Sequence, residues 1–213
     1  MGWLDRLRGD RSSDRREAER LNRKAMDLIL KDQLDKAEEL LTEALKLAPN
    51  MAAAHHNLGA IYLNRQKLSQ ALRQMHLAAR LDPGDVESKI AIAKIYSEMG
   101  REDRALAEYR RICSDDPRDW RSQISLGNAL LDRGLIDEAI DHLEQSVQLR
   151  PRDELTHLVL ATALERRGDL ERATKEYREV RNLTRIRQNR AAASKKVREL
   201  TLRAARDKSS PPL

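Results

Sequence analysis

The sequence predicts an all-α fold of the solenoid class, five helical hairpins in tandem closed by a capping helix. Three observations carry this. Pro49, Pro83, Pro117 and Pro151 stand at intervals of 34 residues. Small residues recur in the same register, as Ala25, Gly59, Ala93, Gly127 and Ala161 and again as Ala37, Ala71, Ala105, Ala139 and Ala173. Apolar residues between them follow helical rather than alternating spacing, as in Leu58, Ile61, Tyr62, then Leu68, Leu72, Met75 and Ala78.

Each period splits into two stretches of about three turns, separated by a polar break such as 64–67. Large residues fill the space between small ones in two series, Leu28, Tyr62, Tyr96, Leu130, Leu164 and Leu41, Met75, Tyr109, Leu143, Tyr177. The turn inside a unit carries Gly100, Gly134 and Gly168 in the last three units, where a left-handed backbone ends the first helix at least cost, but Asp32 and Gln66 in the first two. Proline then closes each second helix. The expected units are 18–51, 52–85, 86–119, 120–153 and 154–185. The fifth has Arg185 where the proline would stand, so the chain can run on or restart at once. Val180, Leu183, Ile186, Ala193, Val197, Leu200 and Ala204 follow at helical spacing, which predicts a basic amphipathic cap over 186–207. Residues 1–17 are expected as an N-terminal leader and 208–213 as a disordered tail.

This pattern resembles the tetratricopeptide repeat, and the segment HHNLGAIYLNRQKLSQALRQMHLAARLDP, His55 to Pro83, is close to that family's consensus. The resemblance spans about residues 18–185. Departures are the missing turn glycine in the first unit, and in the second where Gln66 stands, Ser146 where other units have Ala44, Ala78, Ile112 or Val180, and Arg185 in place of proline. It implies a right-handed α-solenoid that acts as a non-catalytic scaffold or adaptor, binding a partner peptide or helix in a concave groove lined by the first helix of each unit. Transferred residue by residue, the groove presents His56, Asn57, Leu63 and Asn64, then Ile90 and Lys94, then Arg121, Ile124, Asn128 and Leu131, and Leu158. An apolar band is thus flanked by amides that can both donate to and accept from a peptide backbone. The same leucines and isoleucines could instead pack between hairpins. At the places where chaperone-binding relatives grip a terminal carboxylate, this chain has Asn22, Met26, Asn57, Glu87 and Ala91; only Asn57 matches, so chaperone tails are not expected ligands.

Charge is unevenly placed. The net is +6, but 181–208 holds ten Lys or Arg against Glu199 and Asp207, leaving a weakly acidic body. Arg185, Arg187, Arg190, Lys195, Lys196 and Arg198 could contact a polyanion, or could form the solvated face of the cap. Aromatic residues are absent from 179 onward, which argues against nucleic acid. At the start, Trp3, Leu4 and Leu7 share one helical face and could touch a membrane surface, dock on a partner or fill the chain's own groove. Self-assembly into homo-oligomers is a further alternative.

Composition excludes other classes. With 36% charged residues, 40% hydrophobic and a single cysteine, Cys113, the chain is neither a disulfide scaffold nor a zinc module. No apolar run approaches the ~20 residues of a spanning helix. The expected setting is the reducing cytoplasm, with peripheral membrane contact as an alternative. Five histidines form no catalytic constellation: His55 and His56 are adjacent, and His157 lies three periods from His55. Cys113 reads as a small core residue and Trp120 as packing. No enzyme motif, cofactor site or metal site is expected.

Overall fold

The structure is a computed structural model that describes the backbone of residues 3–209 and the side chains of residues 12–206. Among the described residues all regular structure is α-helix. The chain divides into two compact units, Met1–Glu108 and Tyr109–Leu213.

The first unit holds α1 (Trp3–Leu30), α2 (Leu34–Leu47), α3 (Ala52–Asn64), α4 (Leu68–Leu81), α5 (Val86–Glu98) and the start of α6 (Glu102–Asp115). Helices pair into hairpins, α1 with α2 and α3 with α4, and α3 packs on α2. The cause lies in the small residues. Ala25 and Ala37 are fully buried together with Leu41, Ala54, Leu58 and Ile61, so the backbones approach closely around one apolar cluster. Upstream, Ala18 and Leu21 pack against Ala44. Helix α1 is therefore continuous back to Trp3, and the expected leader over 1–17 is largely the beginning of this helix.

The second unit holds α7 (Trp120–Asp132), α8 (Ile136–Leu149), α9 (Glu154–Arg167), α10 (Leu170–Leu183) and α11 (Arg187–Ser209). Its buried residues follow the same register: Gly127 lies against Leu143, and Ala161 and Tyr177 are both buried. The repeating alanines Ala37, Ala71, Ala105, Ala139 and Ala173 are all at most 2% exposed, which places every one at a helix contact.

Turns and caps explain where the helices stop. Gly100, Gly134 and Gly168 have φ of 71°, 74° and 89°, and Asp32 and Gln66 take φ 57° at the equivalent places despite their side chains. Asp85, Asp119 and Asp153, also 34 residues apart, cap α5, α7 and α9 by accepting from the backbone N–H of Ser88, Ser122 and Thr156. Ser146, the departure from the small apolar series, is buried and satisfied: its hydroxyl donates to the Trp120 carbonyl at 3.0 Å. At the missing proline, α10 ends at an extended Thr184 and α11 begins three residues later. Ala193 and Leu200 bury one stripe of α11, while Ile186 stays 57% exposed just before its start. Lys208 and Ser209 close α11 rather than belonging to a tail; the rest of that expected tail, 210–213, lies outside the described residues.

Candidate functional site

Of the first-helix residues expected to line a groove, Asn57 and His56 in the first unit are tied to neighbouring first helices. Asn57 Nδ2 donates to Asn22 Oδ1 at 2.8 Å, and His56 Nδ1 lies 2.7 Å from Ser88 Oγ. These contacts cross from α3 to α1 and from α3 to α5, holding successive hairpins in register. Leu63 and Ile90 are half-buried, Asn64 and Lys94 exposed, and Lys94 reaches Glu98 at 3.8 Å.

In the second unit, two expectations are corrected. Ile124 and Leu131 are each only 5% exposed, so they pack inside the unit and present nothing to a partner. A large aliphatic residue on a first helix has no pattern that separates contact from core; burial decides it. Arg121 donates to the cap residue Asp119 at 2.9 Å. Asn128 is exposed. Leu158 is 40% exposed and Leu155, one turn earlier on α9, is 55% exposed. Leu158 occupies the same register as Ile124, His56 and Ile90, so equivalent positions have opposite environments.

The basic residues of the cap also fall into distinct groups. Lys196 Nζ donates to both oxygens of Glu165, at 2.8 and 3.1 Å, and Tyr177 donates to the same carboxylate at 3.0 Å. The hydrogen bond it donates to Glu165 raises the Lys196 pKa. Burial would push Glu165 up, but the bonds from Lys196 and Tyr177 outweigh it and hold the acid below its ordinary value. Lys196 is thus half-buried in an ion pair and not part of a solvated basic face. Arg190 donates to the Thr184 carbonyl at 2.9 Å. Arg185, Arg187, Lys195 and Arg198 are exposed. The side chains of Trp3, Leu4 and Leu7 lie outside the described residues.

A polar network was not anticipated from the sequence. His55 bonds Gln74 at 2.7 Å and the Pro49 carbonyl at 3.0 Å; His157 bonds Glu176 at 2.7 Å and the Pro151 carbonyl at 3.0 Å. Gln123 takes the same register, donating to the Pro117 carbonyl at 2.9 Å and accepting from His142 at 2.7 Å. Each latch ties a first helix to its own second helix and to the preceding proline turn. The equal spacing of positions 55, 123 and 157 from their prolines was the available signal. In the last latch both partners of His157 only accept, so the imidazolium satisfies them best; the Glu176 bond accordingly raises its pKa. His142 is shifted the other way, chiefly by burial. Burial pushes the Cys113 thiol up to about 12, which keeps it protonated and poorly nucleophilic. Among the described residues no group of three or more His, Cys, Asp or Glu could hold a metal ion, and no helix is long and apolar enough to cross a membrane.

Comparison with known proteins gives the family. The tetratricopeptide repeat model matches residues 23–86, 90–154 and 125–190. No curated protein sequence matches the chain. Among solved structures, pilF of Pseudomonas aeruginosa is similar with a TM-score of 0.73 at 15% identity, over 93% of this chain and 95% of that one. TTC0263 of Thermus thermophilus, described as a thermophilic TPR protein, gives a TM-score of 0.71 at 18% identity, over 84% and 98%. YrrB, described as a TPR protein with an unusual peptide-binding site, gives 0.56 at 17% identity, over 80% and 88%. At such identities the likeness concerns the fold, and that fold is the all-α solenoid class expected from the sequence. It is in general a non-catalytic fold for protein interaction. With its prolines, small residues and hairpins all in one 34-residue register, and the family model matching most of its length, this chain belongs to the tetratricopeptide repeat family.

Proposed function

We propose that this protein is a non-catalytic scaffold or adaptor of the reducing cytoplasm that holds a peptide or helix of a partner protein along the first-helix faces of its hairpins. The observation that carries the reading is the pair Leu155 and Leu158, 55% and 40% exposed on α9, where the register-equivalent Ile124 is buried at 5%. Neighbouring exposed leucines on one helix face form an apolar patch of the kind that supports a contact surface. The bonds from Asn57 to Asn22 and from His56 to Ser88 support it from the first unit, since they fix the surface before a ligand arrives and reduce the ordering cost of binding. That one similar structure is described as having a peptide-binding site is consistent with this use of the fold.

The test is nuclease-treated affinity capture from native lysate, comparing wild type with Leu155→Arg plus Leu158→Arg. A second variant, Lys195→Glu plus Arg198→Glu, alters the outer face of α11. Circular dichroism verifies that both remain folded. Proteins lost with the leucine variant and retained with the α11 variant support the reading. Capture unchanged by the leucine variant overturns it.

A second reading rests on the exposed Arg187, Lys195, Arg198 and Leu202 of α11, an outward basic stripe with an apolar residue within it. It predicts salt-sensitive sedimentation with anionic vesicles that the α11 variant abolishes.

A further inference from the structure

Leu155, Leu158, Thr162 and Arg166 fall at i, i+3, i+7 and i+11 on α9, one stripe along the helix. At its C-terminal end the stripe meets a pocket of about 460 Å³ bordered by α9, α10 and α11 and lined by Thr162, Glu165, Arg166, Tyr177, Lys196 and Arg203. Three of these residues are cations and one is an anion. Glu165 is engaged by Lys196 and Tyr177, so one positive charge is matched. Arg166 donates to the backbone carbonyl of Leu131 at 3.1 Å, a partner that leaves its charge uncompensated. Among the described residues Arg203 has no hydrogen-bond or ion-pair partner, though its charge acts on Glu165. The pocket therefore holds two cations in excess at the end of an apolar stripe.

We propose that this pocket takes a carboxylate side chain of the partner peptide whose apolar residues lie on Leu155 and Leu158, so that the partner is an acidic amphipathic segment. The inference rests on the groove reading above and adds the partner's chemistry. Guanidinium groups match a carboxylate geometrically as well as in charge. Nucleic acid is disfavoured because the one aromatic residue present, Tyr177, is 4% exposed and cannot stack a base. A bilayer would meet the outward stripe of Arg187, Lys195 and Arg198, on a different face of α11 from Lys196 and Arg203.

The experiment selects a displayed library of random dodecapeptides on the whole 213-residue chain and sequences what is retained. Wild type should enrich Asp and Glu next to Leu, Ile or Phe. A synthetic peptide from that pool should bind about tenfold more tightly than its Glu→Gln counterpart, the effect of one charge-assisted hydrogen bond, and the difference should shrink with salt. Arg166→Gln plus Arg203→Gln should abolish the acidic preference, with Arg203→Gln alone giving part of the loss and Lys195→Gln none. Apolar peptides without acidic enrichment, lost on Leu155→Arg plus Leu158→Arg, would overturn the pocket and leave the groove standing. A library that yields no binder sensitive to either pair of substitutions overturns both. Vesicles of phosphatidylcholine with phosphatidylserine provide the remaining arm. Sedimentation that depends on Arg166 and Arg203, without acidic peptide selection, would assign those cations to lipid and overturn the proposal.

Discussion

The hairpin of α3 and α4 in the first unit and that of α9 and α10 in the second are built on one register and finished differently. Both bury a small residue on each helix, Gly59 with Ala71 and Ala161 with Ala173, and both latch a histidine to the preceding proline carbonyl. The earlier hairpin starts at Met51 and Lys67, neither of which caps its helix through a side chain, and turns through Gln66 at φ 57°. The later one is capped by Asp153 and Asp169 and turns through Gly168 at φ 89°. The difference teaches that interior packing defines the hairpin, while caps and turn residues adjust how firmly each copy is held.

Interior substitutions should have the largest effect and should not distinguish the two. Ala71→Leu and Ala173→Leu should each destabilise by about 1–3 kcal/mol through overpacking, measured by urea unfolding. A change near zero at either position would break the claim of a shared interior. Cap substitutions come next and should act in opposite directions: Asp153→Ala should lose about 1 kcal/mol, and Lys67→Asp, at the exposed start of α4 where no side chain caps the helix, should gain a comparable amount. If Lys67→Asp stabilises nothing, the uncapped start of α4 is not a weakness. Turn substitutions are smaller. Gln66→Gly relieves a left-handed side-chain residue and should gain up to ~1 kcal/mol after the entropic cost of glycine, while Gly168→Ala should lose about 1 kcal/mol.

The smallest effect separates the latches by pH. With its folded pKa raised, His157 stabilises below the ordinary histidine range, and that contribution fades as pH rises through the folded value. With its pKa lowered by burial, His142 does the reverse, and its contribution is lost as pH falls. Imidazole NMR titration should give a midpoint above the ordinary value for His157 and below it for His142. Coincident midpoints would contradict the Glu176 bond assigned to His157 and the burial assigned to His142.

The hairpins were legible because proline, alanine and glycine are read for backbone reasons that do not depend on neighbours. The restart after Thr184 was legible because Arg185 stands where proline is missing. The latch was hidden because His55, Gln123 and His157 satisfy one geometric role with different chemistry. The Asp caps at 85, 119 and 153 were hidden in a run of charged residues, although their spacing matches that of the prolines. The candidate surface was least legible. Ile124 and Leu158 are similar aliphatic residues in equivalent places, and only the three-dimensional environment buries one and exposes the other. Lys196 read as part of a basic run because no local pattern marks Glu165, 31 residues earlier, as its partner.

The central claim, that the α9 face is where a partner protein binds, is tested most directly by placing a photoreactive amino acid at position 158 and irradiating the protein in native lysate. Gln145, exposed on the second helix α8, serves as the reference position. The account predicts a discrete protein adduct from position 158 that is absent from position 145. Adducts from position 145 alone, or the same adducts from both, would contradict it.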